Sequence, residues 1–252
     1  MSDPATGSTP AQILAQALLA HQQGSWQEAL RLYQQVLLQD AHNPVALTNL
    51  ASLYTRLQQY ATALNLYQRR LQAGEVTAEV WFNYGNLQQK MGLQNDAVSS
   101  FQTALRLQAN LYPAHYNLGN LLRDLGHYDQ AIQHYKAALA LQPQLPLAQR
   151  NLGNLYRQLG QFALAIQHHR LALALPQQNS QQHGENCYNL ANALASAEQF
   201  AEAVHYYQQA TRLLADPVEA WINLGNLQQR AQDAVAAERC YRSALQQRRD
   251  HP

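Results

Sequence analysis

The chain has 252 residues and a formal charge of +1, with 17 Lys and Arg against 16 Asp and Glu. That balance excludes nucleic acid as a partner class, because a basic surface that neutralises phosphate supplies most of such a binder's affinity. No apolar run approaches the roughly 20 residues that cross a bilayer, so no membrane partner is expected.

The polar start, Met1 to Pro10, lacks the charged-then-apolar order of a signal peptide. Residues 1–9 are expected to be disordered and the protein cytoplasmic. The two cysteines, Cys187 and Cys240, match neither a disulfide framework nor a zinc motif.

From Pro10 onward the chain repeats. The first unit carries small residues at Ala17 and Ala29 and a ring at Tyr33, and the second, from near Pro44, carries Ala51, Ala63 and Tyr67. The third, from near Ala78, has Gly85, Ala97 and Phe101; the fourth, from near Tyr112, has Gly119, Ala131 and Tyr135. The fifth, from near Pro146, departs with His169 after Gly153 and Ala165. The sixth and seventh, from near Gly184 and Val218, return to Ala191, Ala203, Tyr207 and Gly225, Ala237, Tyr241. The step from one unit to the next is constant, except that the one from Ala165 to Ala203 is longer by four.

Each unit reads as two apolar stripes of helical period with a break between them, such as the Leu125-Gly126 step before Tyr128. Gly24, Gly92, Gly126 and Gly160 fall where a first helix should end in a left-handed residue. One hairpin cannot bury its own apolar face, so neighbours must stack. The small residues let the paired helices approach, and the ring is expected to fill the gap toward the next unit. The extra four residues fall in the polar tract 177–183, which is expected to be a lengthened loop. At the other end, the seventh unit stops at Pro252 with no polar capping helix, so fraying, another domain or a second copy is expected there.

Two polar columns run through the repeats. The leading one is Asn49, Asn83, Asn117, Asn151, Asn189 and Asn223. The trailing one, three residues later, is Asn86, Asn120, Asn154, Asn192 and Asn226, with Ser52 in the second unit. Positions i and i+3 share a helix face. An amide offers an acceptor and two donors, so such a face could grip a peptide backbone without regard to its sequence. The same amides could instead bond between adjacent helices. Phe82, Tyr116, Arg150 and Tyr188, each one residue before a leading asparagine, are further peptide-binding candidates. The 10 histidines form no His-x-x-x-His pair, and no nucleotide loop or nucleophile motif appears. No metal, cofactor or catalytic activity is expected.

These columns resemble the tetratricopeptide (TPR) pattern over residues 10–252. The resemblance implies an all-α, right-handed superhelical solenoid of seven helix-turn-helix hairpins, with first helices lining a concave groove that takes a protein or peptide ligand. The clamp by which some TPR receptors hold two carboxylates is not matched, since Thr48, Glu79 and Pro113 stand at its positions. The runs AHYNLGNLLRDLGHYDQAIQHYKAALALQP and EAWINLGNLQQRAQDAVAAERCYRSALQ resemble the TPR arm of O-linked N-acetylglucosamine transferases and SPINDLY-like proteins. Three roles follow: an interaction scaffold, the substrate-recognition arm of such a transferase whose catalytic domain is absent here, or self-association through the seventh unit.

Overall fold

The computed structural model describes residues 9–176 and 179–250, the side chains of 249 and 250 excepted. The described residues form fourteen α-helices and no strand. Residues 1–8, positions 177 and 178 of the polar tract, and the final two residues lie outside them. The chain divides into two compact units, Met1–Leu118 and Gly119–Pro252, the division falling within one helix.

The first unit holds α1 (Pro10–Gln22), α2 (Trp26–Gln39), α3 (Pro44–Arg56), α4 (Tyr60–Gln72), α5 (Ala78–Lys90), α6 (Gln94–Leu107) and the start of α7 (Tyr112–Asp124). The second holds the end of α7, then α8 (Tyr128–Leu141), α9 (Pro146–Gln158), α10 (Phe162–Ala174), α11 (Ser180–Ser196), α12 (Phe200–Leu213), α13 (Val218–Arg230) and α14 (Ala234–Asp250). Odd-numbered helices open hairpins and even-numbered ones close them. Hairpins pack on their neighbours in solenoid fashion: α2 on α3 and α4 on α5 in the first unit, α10 on α11 and α12 on α13 in the second. First helices also meet directly, α3 with α5 and α9 with α11.

Closure of each hairpin rests on small residues. Ala29, Ala63, Ala97, Ala131, Ala165 and Ala203 are wholly buried. Opposite them, the small residue of each first helix makes room for the ring of the same hairpin. A Cβ on Gly119 would lie 3.0 Å from the Tyr135 ring, and one on Gly225 would lie 2.7 Å from Tyr241. The ring therefore seats inside its own hairpin, and in the second hairpin it also meets the next one, Tyr67 lying 5.7 Å from the Tyr84 ring.

All seven hairpin turns share one conformation. A left-handed residue occurs at Gly24, Gln58, Gly92, Gly126, Gly160, Glu198 and Gln232. The following amide reaches back five residues, as in Ser25 N to Ala20 O (2.9 Å), Gln59 N to Tyr54 O (2.9 Å) and Asp233 N to Gln228 O (3.0 Å). This bond caps the first helix. Glycine suits the turn because it has no Cβ to clash there; three turns do without it.

The four extra residues lengthen a helix. α11 has 17 residues where α9 and α13 have 13, and it starts at Ser180, four residues before Gly184. Asn179 caps it, its Oδ1 accepting from Gln182 N at 2.9 Å. The added turn packs back on the end of α12: Gln181 Oε1 accepts from Ala215 N at 2.8 Å, and a Cβ on Gly184 would lie 2.9 Å from Leu213 Cβ. At the chain start, Thr9 and Gln12 form a reciprocal cap on α1.

A left-handed residue other than glycine costs roughly 1–2 kcal/mol, partly offset by glycine's greater freedom when unfolded. Gln58→Gly, Glu198→Gly and Gln232→Gly should each stabilise the fold by about 0.5–1 kcal/mol, read as a higher urea midpoint. Gly126→Ala should lower it.

Candidate functional site

The two asparagine columns lie on one face of the first helices and form a ladder between hairpins. Asn117 Nδ2 donates to Asn86 Oδ1 at 2.7 Å, Asn151 to Asn120 at 2.8 Å and Asn223 to Asn192 at 3.2 Å. In each rung a leading asparagine bonds the trailing asparagine of the preceding hairpin. The trailing carbonyl accepts a second bond from the second-helix tyrosine of its own hairpin. Tyr135 OH donates to Asn120 at 2.7 Å, Tyr207 OH to Asn192 at 2.6 Å and Tyr241 OH to Asn226 at 2.9 Å. The constant spacing from trailing asparagine to tyrosine carries this contact, and it is the functional signal that sequence reading passed over.

These amides are therefore not wholly open to a ligand; part of their bonding capacity joins the hairpins. The ladder also fixes how each amide points. With Oδ1 turned to the next asparagine (Asn86), to a tyrosine (Asn226) or to both (Asn120 and Asn192), the Nδ2 groups of these four have no hydrogen-bond partner among the described residues. The Oδ1 atoms of Asn117 and Asn223 are likewise unspent.

The ladder is interrupted in three places, each traceable to one residue or one insertion. Leu18 holds the trailing position of the first unit, so Asn49 finds no acceptor there and its Nδ2 turns back to Val45 O at 3.0 Å. Ser52 stands where Asn83 would find its acceptor, and Asn83 makes no hydrogen bond among the described residues. Asn154 and Asn189 are set further apart than the partners of a rung by the longer α11, and they form no rung. Asn154 also lacks its tyrosine, since His169 occupies that place.

The aromatic and charged candidates are held by neighbours. Phe82 lies 5.9 Å from the Phe101 ring, and Tyr188 lies 6.0 Å from Tyr207 while its hydroxyl accepts from Asn223 Nδ2 at 3.1 Å. Tyr116 is half-buried. Arg150 is ion-paired with Glu185. Among the described residues, no group of three or more His, Cys, Asp or Glu is placed to hold a metal ion, and no helix is long and apolar enough to cross a membrane. Burial pushes the Cys187 thiol up to about 11, which leaves it a small apolar group rather than a nucleophile.

His169 is 1 % exposed, its ring packed where a Cβ on Gly153 would be, and both ring nitrogens lack a partner among the described residues. Burial, assisted by Arg157, His168 and Arg150, lowers its pKa to about 3.

Tetratricopeptide repeat models match residues 20–91, 78–111, 100–133, 150–182 and 188–252, and a model described as TPR repeat matches 119–160. No curated protein matches the chain. Among solved structures, the C-terminal part of a TPR repeat-containing protein from Cytophaga hutchinsonii superposes with a TM-score of 0.77 at 17% identity, covering 92% of this chain and 94% of that one. PilF from Pseudomonas aeruginosa gives 0.69 at 19%, covering 81% and 91%. YrrB, described as a TPR protein with an unusual peptide-binding site, gives 0.57 at 18%, covering 79% and 92%. At these identities the likeness is one of fold.

His169→Tyr should give the Asn154 carbonyl the tyrosine donor it lacks and raise the melting temperature. The folded state keeps this imidazole neutral down to about pH 3, whereas an unfolded histidine takes up its proton near 6.5. The unfolded chain thus binds more protons in that window, and stability falls as pH drops through it. Urea titrations from pH 7 to pH 4 should show this acid slope in the wild type and a shallower one in His169→Tyr.

Proposed function

The chain belongs to the tetratricopeptide-repeat proteins, and we propose that it is a protein-interaction scaffold which lays an extended segment of a partner along the asparagine-bearing face of its first helices. The observation that carries this reading is the polarity left over by the ladder. The rungs Asn117–Asn86 and Asn223–Asn192 each leave an N–H2 and a C=O unspent. A peptide unit presents the complementary C=O and N–H. Helices pack about 8–10 Å apart and an extended chain rises about 3.3 Å per residue, so one rung meets roughly every third residue. Each bond contributes about 1 kcal/mol, so affinity is built by summation and reads little of the partner's sequence.

The likeness of residues 114–143 and 219–246 to a transferase arm supports the same use of this face with a glycosyltransferase substrate as the segment. The scaffold reading needs no second domain and is preferred. The peptide-binding description of YrrB supports a peptide as the ligand class.

Asn120→Asp with Asn192→Asp separates binding from structure. A carboxylate still accepts from tyrosine and from the next asparagine but cannot donate. Peptides selected against the wild type from a random display library should bind this variant roughly tenfold or more weakly, with thermal stability close to that of the wild type. Unchanged affinity in the double variant would remove the groove reading.

A further inference from the structure

The ladder's gap at Ser52 is a cavity, and its walls define what would fill it. A space of about 430 Å³ opens between α3 and α5, floored by Tyr67 of α4. In the fourth and sixth hairpins, two donors converge on the trailing carbonyl: the tyrosine of the same hairpin and the leading asparagine of the next. Here those donors are Tyr67 and Asn83, and both line the cavity. The serine side chain lacks the amide arm that would reach them. Tyr67 is 1 % exposed, yet its hydroxyl has no hydrogen-bond partner among the described residues. By contrast, Tyr33, whose ladder position is taken by Leu18, finds His21 Nδ1 at 3.2 Å.

The charge around the gap is one-sided. Arg56 and Lys90 line the cavity, and no Asp or Glu does. The Arg56 guanidinium lies 4.0 Å over the Trp26 ring, which holds it in place. Glu79, whose charge is felt by Tyr67, lines an adjoining cavity of about 280 Å³ that it shares with Arg70. Two uncompensated donors and two cations form a site for an oxygen acceptor bearing negative charge.

We propose that the Ser52 cavity binds a carboxylate of the partner segment, whose oxygen takes the place of the missing asparagine carbonyl between Tyr67 and Asn83. The site differs from the two-carboxylate clamp, of whose cations Arg150 alone is matched here: one donor comes from a second helix, and the pocket exists because a ladder side chain is short. It deepens the groove reading by naming the ligand group, and it rests on that reading for the carboxylate's origin in a peptide.

The test uses small probes with no chain to lie along the groove. N-acetyl-aspartate N-methylamide carries a side-chain carboxylate, N-acetylglycine a terminal one, and N-acetyl-asparagine N-methylamide is the neutral counterpart. Binding is followed by NMR shifts of the Asn83 side-chain amide. At least one acid should bind the wild type at millimolar concentration, several-fold more tightly than the neutral amide, and the tighter acid identifies the source. Ser52→Asn, which completes the rung, should abolish acid binding while raising the melting temperature. Tyr67→Phe, which keeps the ring and removes the donor, should weaken it roughly tenfold. Acid binding that survives both substitutions, equal binding of the neutral amide, or no binding of either acid overturns the proposal. Because the probes do not touch Asn120 or Asn192, the Asn120→Asp, Asn192→Asp variant should bind them as the wild type does. Failure of the pocket is thereby distinguished from failure of the groove.

Discussion

Everything in this fold depends on how closely the two helices of a hairpin can approach. The ring of the second helix needs a seat, and glycine or alanine on the first helix provides it. Tyr135 over Gly119 and Tyr241 over Gly225 leave no room for a larger side chain. Seated there, each ring is held in one position and brings its hydroxyl to a fixed point on the neighbouring face. Packing at the hairpin centre thus sets the geometry of a polar group at its surface.

The hydroxyl then organises the amides. Tyr135 and Tyr207 fix the carbonyls of Asn120 and Asn192, and the leading asparagines of the next hairpins bond the same oxygens. A rung is at once a link between hairpins and a constraint that leaves the trailing N–H2 unspent. The structural bond therefore uses only part of the hydrogen-bonding capacity of Asn120 and Asn192. Departures from the pattern are equally local. Leu18 removes an acceptor and sends Asn49 back to its own helix. His169 keeps the ring and loses the hydroxyl, leaving two buried nitrogens without partners. Ser52 removes the acceptor without filling its place.

Much of this was legible in the sequence because repetition fixes register. The columns at Ala29, Tyr33 and Asn83, carried forward one repeat at a time, place the helices and identify which residues share a face. The direction of each amide was not legible, since it depends on a rotamer set by a tyrosine in another helix. Nor was the fate of the tract before Gly184. Its polarity suggested a loop, but Asn179 supplies a cap and Gly184 lets the added turn lie against Leu213. The left-handed turns at Gln58, Glu198 and Gln232 follow from the period, although their residue types argue against that conformation. The Arg150–Glu185 ion pair was not legible either, since its partners lie about a full repeat apart in sequence.

The most direct test of the central claim, that a seated tyrosine holds the trailing asparagine's carbonyl, is a double-mutant cycle on one rung. Unfolding free energies of the wild type, Asn120→Ala, Tyr135→Phe and the double variant should give a coupling of about 1 kcal/mol, the net worth of one buried hydrogen bond. Strictly additive effects, with no coupling between the two positions, would mean that the hydroxyl does not hold the amide.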